Sequence, residues 1–347
     1  MRLQTFNPSL RTSILFGAGV LLMASALKAD TTYGFQTIND SADPTFNQLL
    51  GINNSGTIAG YFGSGSATNP NRGYTIAPPY TQASYTNENF PGSIQTQVAG
   101  LNNGNSPTTV GFWVDGAGNN FGFVKQGNTF TQVNAPAATT FNQLLGVNDS
   151  NVAVGFYQDA GGAFHGYTYN IANSTFSTIT PGNSVSTTAT GINNNGAITG
   201  FYTDTNGAQH GFIDNNGNFV TLDDPNGTNT SLFGINDKGQ AVGTFVDANG
   251  ITNGTIYNSA ANTWQTLDDP SQSSTAAFNF AGTALNGIND RGQVVGFYSD
   301  GTNVDGFLAT PTPEPASIAL AGVGAALIFL ARTKLRKTRN TETEPEA

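Results

Sequence analysis

Apolar positions along this chain come in short runs, and within each run they alternate with polar or small residues. AVGTFVD (241–247) and GTIYN (254–258) are representative. A spacing of two residues places the apolar side chains on one face of an extended strand. Val, Ile, Phe, Tyr and Thr fill the runs, while Gly, Asn and Asp fill the joints between them. That is the chemistry of strands and tight turns, and helix formers are scarce. The pattern predicts an all-β protein.

The runs themselves recur. Residues 46–62 read FNQLLGINNSGTIAGYF and residues 141–157 read FNQLLGVNDSNVAVGFY. Their shared core, G-[ILV]-N, occurs six times, starting at Gly51, Gly100, Gly146, Gly191, Gly234 and Gly287. The spacings are 49, 46, 45, 43 and 53 residues, the period of a repeat architecture. Each copy divides into four strand-length pieces. The first joint, Asn-x-x-Gly, fits a type I turn followed by a residue with positive φ. That residue is Gly56, Gly196, Gly239 or Gly292, and Asn151 in the third copy; Asn is the next residue type to tolerate this geometry. The second copy, NNGNSPTTVG, carries a longer turn. At the second joint Asp115, Asp159, Asp204, Asp247 and Asp300 hold equivalent places. The third strand opens with Gly plus an aromatic: Gly73-Tyr74, Gly122-Phe123, Gly166-Tyr167, Gly211-Phe212 and Gly306-Phe307, with Gly254-Thr255 in the fifth copy.

The two ends of the array are complementary. The sixth copy stops after GFLAT and lacks its fourth strand. Before the first copy stands FQTINDSADPTFNQ (35–48), which aligns with FTQVNAPAATTFNQ (130–143), the fourth strand of copy two and its exit. A ring can be closed by such an exchange, whereas a linear stack needs caps. The prediction is a six-bladed β-propeller of four-stranded blades closed by an N-terminal strand, residues 35–39 pairing with 306–309. A β-solenoid is the rival, and it leaves the complementary ends unexplained.

Both termini look like targeting segments. Arg2 and Arg11 precede an apolar run (14–27) and small residues ending at Ala29, the order of a secretory signal cleaved before residue 30. The alternative is a buried N-terminal helix. At the other end Pro313-Glu314-Pro315 precedes an apolar stretch, 316–331, and then Arg332, Lys334, Arg336, Lys337 and Arg339. Sixteen helical residues reach about 24 Å, marginal against a hydrocarbon core of about 30 Å. The cations would keep the tail cytoplasmic and everything before it outside. This order resembles the PEP-CTERM sorting signal, although the chain runs on into an acidic extension, 340–347. The resemblance implies a Gram-negative host, an exosortase that cuts near the tripeptide, a transient inner-membrane anchor, and a place in exopolysaccharide and biofilm matrix. An ordinary single-span anchor is the alternative. The repeats, on His165-Gly166-Tyr167 and His210-Gly211-Phe212, also resemble HAF-type extracellular repeats, which implies an extracellular or cell-surface location. The expected division is a signal peptide over 1–29, a six-repeat domain over 30–310, and a sorting tail over 311–347 with its transmembrane helix at 316–331.

Composition narrows the partners. Between residues 30 and 312 stand four basic residues (Arg72, Lys125, Lys238, Arg291) and eighteen acidic ones. Such a surface repels phosphate backbones, so nucleic acid is not expected as a partner. There is no cysteine, and an exported chain without disulfides must be held by its core. Candidate chemistry is sparse. The only histidines, His165 and His210, occupy one repeat position, filled elsewhere by Phe121, Asn253 and Asp305. That favours a structural role over a catalytic or metal-binding one. The doublets Asp223-Asp224 and Asp268-Asp269 offer paired carboxylates, but they recur in the same TLDDP context and read as loop residues. Glu88, the one Glu between 30 and 312, sits in YTQASYTNENF, read as a solvated loop or a binding loop. Trp113 and Trp264 are candidate sugar platforms or blade packing. Oxygen-rich turns would suit calcium, yet no D-x-[DN]-x-[DN]-G pattern with a distal Glu occurs, so no cofactor is expected. The reading is a non-enzymatic surface or matrix protein that binds exopolysaccharide or neighbouring proteins. The alternative is a propeller enzyme acting on polysaccharide or lactone.

Overall fold

In a computed structural model, residues 30–312, except residue 139, are described. The alternating runs become 24 strands in six four-stranded antiparallel sheets, plus one 3-10 turn, Gln82–Ser84. We number the blades by their innermost strand: blade 1 from Asn47–Ile52, blade 2 from Gln95–Leu101, blade 3 from Asn142–Val147, blade 4 from Ser184–Ile192, blade 5 from Thr228–Ile235 and blade 6 from Thr283–Ile288. The outermost strand of blade 6 is the N-terminal one. Thr32–Thr37 pairs with Val304–Thr312, setting Phe35 against Ala309 and Thr37 against Phe307. The expected exchange of ends is therefore present, and the sheets form a six-bladed propeller. Ile38 extends the seam, its N–H donating to the Gly306 carbonyl at 2.8 Å.

The turn readings hold at residue level. Gly56, Gly196, Gly239 and Gly292 have φ of 73–86°, and Asn151, standing in for glycine, has φ 56°. Asp115, Asp159, Asp204 and Asp247 each accept backbone N–H bonds from residues two and four positions on. The core lies between blades. The third-strand aromatics Tyr74, Phe123, Tyr167, Phe212 and Phe307 are among the largest fully buried side chains, with Leu49, Leu144, Leu232 and Leu285 from the innermost strands. In blade 5 the aromatic is replaced by Thr255, whose hydroxyl donates to the buried Asp224 carboxylate at 2.6 Å.

Among the described residues no helix is long and apolar enough to cross a membrane. The assigned processing and retention residues (Ala29, Pro313, Glu314, Pro315, Arg332, Lys334, Arg336, Lys337, Arg339), with the 316–331 span, lie outside the described residues.

Candidate binding channel

The G-[ILV]-N core of each copy runs along the propeller axis, and each of its positions forms a ring. The glycines come first. A Cβ at Gly51, Gly100, Gly146, Gly191, Gly234 or Gly287 would lie within 3.0 Å of a backbone carbonyl of the next blade's innermost strand. Only glycine lets six strands approach so closely around one axis. A β-bulge immediately precedes each glycine, and it turns one extra residue toward the channel.

The asparagines come next. Nδ2 of Asn53, Asn102, Asn148, Asn193, Asn236 and Asn289 donates to the backbone carbonyl of the equivalent Asn one blade on, at 3.0–3.5 Å. Asn289 reaches Asn53, so the circle closes. The same side chain also ties its own hairpin: Asn193 Oδ1 accepts from the Asn195 and Ala197 N–H groups at 3.1 and 2.9 Å. The following residues, Asn54, Asn103, Asp149, Asn194, Asp237 and Asp290, form a second circle. Each backbone N–H donates to the next side-chain Oδ1 at 2.7–2.9 Å. Reading the sequence assigned these asparagines to turns only. That they recur at every copy, turn variant or not, was the signal of a second duty.

The two Asn/Asp circles narrow one mouth of the channel to about 70 Å³. Below them lie the apolar side chains of Ile52, Leu101, Val147, Ile192, Ile235 and Ile288, and then the channel widens into a cavity of about 450 Å³. Its wall carries Phe112, Phe141, Phe156, Phe164, Phe201 and Phe233. Polar atoms come from Gln48, Gln97, Gln143, Thr188, Thr190 and Asn286, and no titratable side chain lines it. At blade 3 the rings of Phe141, Phe156 and Phe164 pack on one another with centroids 5.2–5.8 Å apart.

The candidate chemistry picked from sequence lies elsewhere. His165 bonds Asp159 at 2.7 Å and stacks on Tyr157. His210 bonds Asp223 at 2.9 Å and packs on Tyr202, so each histidine is held within its own blade. The His165 hydrogen bond holds Asp159 below the usual carboxylate range. Asp224 and Asp269 are buried turn residues that accept the N–H groups of Asn226 and Ser271. Burial pushes Asp268, Asp269 and Asp305 upward, and none of the three lines the cavity. Trp113 stacks on Phe90 at 4.4 Å and Trp264 packs at a tilt on Tyr257 at 4.7 Å, which is blade packing. Among the described residues no three His, Asp or Glu side chains are grouped to hold a metal ion. Glu88 requires a correction. It is only 4 % exposed, not a solvated loop residue, and it pairs with Lys125 of blade 2 at 2.7 Å. A carboxylate this deep needs a counter-ion, and the neighbouring blade supplies it.

No family model matches the chain, and no curated protein matches it in sequence. Solved structures do. A putative TolB from Agrobacterium tumefaciens is 10 % identical, covers 82 % of this chain and 100 % of its own, and superposes with a TM-score of 0.54. AofleA from Arthrobotrys oligospora is 11 % identical over 80 % of this chain and 86 % of its own, with a TM-score of 0.50. A lectin of Aleuria aurantia in complex with alpha-methyl-L-fucoside is 12 % identical over 81 % and 99 %, with a TM-score of 0.47. At these identities the first two likenesses show the fold alone.

Proposed function

We propose that this protein is an exported surface or matrix propeller that binds a neutral partner, an exopolysaccharide chain or a neighbouring surface protein, through the open face of its channel. The observation that carries the reading is the contrast between the two mouths. One is narrowed by the blades' own Asn and Asp side chains, and the other opens on phenylalanines and amide side chains. Aromatic walls with a few placed polar groups are the general make-up of binding sites. Acid–base or nucleophilic catalysis needs titratable groups within reach of one substrate, and the cavity wall provides none. The enzyme alternative would rest on the carboxylates of the other mouth, Asp149, Asp237 and Asp290, each of which already accepts a backbone N–H from the preceding blade. Export by a cleaved signal, exosortase processing at Pro313-Glu314-Pro315, and transient anchoring by residues 316–331 belong to the same proposal, on the order of residues in the two termini.

A screen of residues 30–312 against neutral and acidic exopolysaccharides, with and without calcium, tests the binding role. Calcium-independent retention of a neutral chain, lost in Phe164→Ala, is expected. Release of reducing sugar that His210→Ala or Asp224→Asn abolishes would replace the binder with an enzyme. Intact-mass measurement of surface material tests the sorting role. Residues 316–347 still attached would mean an ordinary anchor.

A further inference from the structure

Two rings of the channel reuse one residue type six times, and the ring beside them does not. Glycine recurs because blades touch there, and asparagine because it ties blade to blade. The bulged residue just before the glycine is Leu50, Ala99, Leu145, Thr190, Phe233 or Asn286, and all six line the cavity. Thr190 and Asn286 also bond the next blade's Leu232 and Leu49 carbonyls, but the apolar Leu50, Ala99, Leu145 and Phe233 make no such bond, so the variety of this position shapes the space inside.

The aromatic lining of that space is sided, although Gln97, Gln143, Thr188 and Thr190 add polar atoms on the aromatic side. Blades 2 to 5 present phenylalanine to it, whereas blades 6 and 1 present Asn286 and Gln48 and no aromatic. Some hydrogen-bonding capacity is left over. Gln48 Oε1 accepts from the Tyr61 hydroxyl, which leaves its amide N–H groups. Asn286 Nδ2 donates to the Leu49 carbonyl, which leaves its Oδ1. A charged group would enter without a counter-ion, at high desolvation cost. A separate feature marks the rim by blade 1. Phe278, at the tip of the 273–282 loop, is 48 % exposed and has φ 51°, uncommon for a bulky residue. Its ring meets Phe46 edge-on at 5.1 Å, as Phe164 meets Phe156 at blade 3. Phe46 and Tyr61 in turn pack with Leu50, a cavity residue.

We infer that the cavity takes an uncharged amphiphile. Its alkyl or aryl body lies against the phenylalanines of blades 2 to 5, and one alcohol, amide or ester end bonds Gln48 or Asn286. This rests on the same cavity as the binding role above but not on the matrix setting. Residues 30–312 carry every strand of the ring, including the closing one, so that segment serves for the test. It is titrated with the neutral fluorophore N-phenyl-1-naphthylamine, and 1-decanol, decanoate and neutral monosaccharides are added as competitors at pH 8. One saturable site per chain is expected, with decanol displacing the probe at least tenfold better than decanoate. Ala99→Phe places at blade 2 the ring that Phe233 supplies at blade 5. It should weaken probe binding at least tenfold with an unchanged melting midpoint, and Leu145→Phe gives the same reading if the first variant does not fold. Non-saturable binding, equal competition by decanoate, or full binding by a folded filled variant overturns the inference. Displacement by monosaccharides but not decanol also overturns it while leaving the glycan role standing. Probe binding with no retained glycan or protein does the reverse.

Discussion

Replacing Asn193 by Asp isolates what the asparagine ring does. The wild-type side chain, 6 % exposed, makes three bonds: Oδ1 accepts two hairpin N–H groups, and Nδ2 donates to the Asn236 carbonyl at 3.0 Å. Aspartate keeps the acceptor and so keeps the hairpin. It loses the donor and points a carboxylate oxygen at a carbonyl oxygen of the next blade. Losing one net hydrogen bond costs about 1 kcal/mol, and the Asn236 carbonyl keeps the Gly239 N–H as a partner at 3.1 Å. The expected loss is therefore about 1 kcal/mol, before any repulsion between the two oxygens. For a domain of this size that corresponds to a fall in melting midpoint of roughly 2–4 °C, and more with the repulsion. Urea unfolding of residues 30–312, followed by circular dichroism at pH 7, reads it directly. Asn170→Asp is the internal control, because it makes the same chemical change where Oδ1 accepts only N–H groups of its own hairpin, those of Ala172 and Asn173. It should leave the midpoint unchanged. If Asn193→Asp were as silent as the control, the asparagines would serve their turns only, and the ring would be held by packing alone.

Three further outcomes follow from the same structure. Deleting residues 30–40 strips the outer strand from blade 6 and leaves Val304–Thr312 as an open edge, so the melting midpoint should drop steeply and the variant should self-associate in light scattering; an unchanged midpoint would rule out closure by this strand. Lys125→Met leaves Glu88 buried without its cation and should cost about 3 kcal/mol, with most of it recovered in the double variant Lys125→Met/Glu88→Gln by chemical denaturation. Stability should rise slightly as pH falls from neutral toward the raised values of Asp268, Asp269 and Asp305, and fall below about 4, near the ordinary carboxylate pKa. Asp268, Asp269 and Asp305, raised by burial, gain protons more readily when folded, so acidification first favours the fold. Asp115, held down chiefly by the Asn119 side chain, and Asp204, Asp247 and Asp300, held down chiefly by backbone N–H groups, contribute stability that is lost as pH falls through their lowered values. A decline that begins at neutral pH and continues without a rise in thermal melts would contradict the burial of the first group.

Local order was legible in the chain because it depends on neighbours in sequence. Alternation at period two marks strands, and the requirement for positive φ marks Gly56, Gly196, Gly239, Gly292 and Asn151. The repeat period and the mismatched ends gave blade number and closure, since a strand missing at 310 and spare at 32 has one partner in a ring. What the sequence alone did not decide was set by distance in space. Asn193 reads as a turn residue until Asn236 is seen 43 positions away and 3.0 Å from its amide. Glu88 reads as exposed until Lys125 arrives from the next blade. The cavity residues are scattered singly over six copies, one bulged residue each, and only the axis gathers them. A repeat specifies its own hairpins by local bonds. Which of its side chains face the axis, the neighbouring blade or solvent is settled only when the sixth blade meets the first.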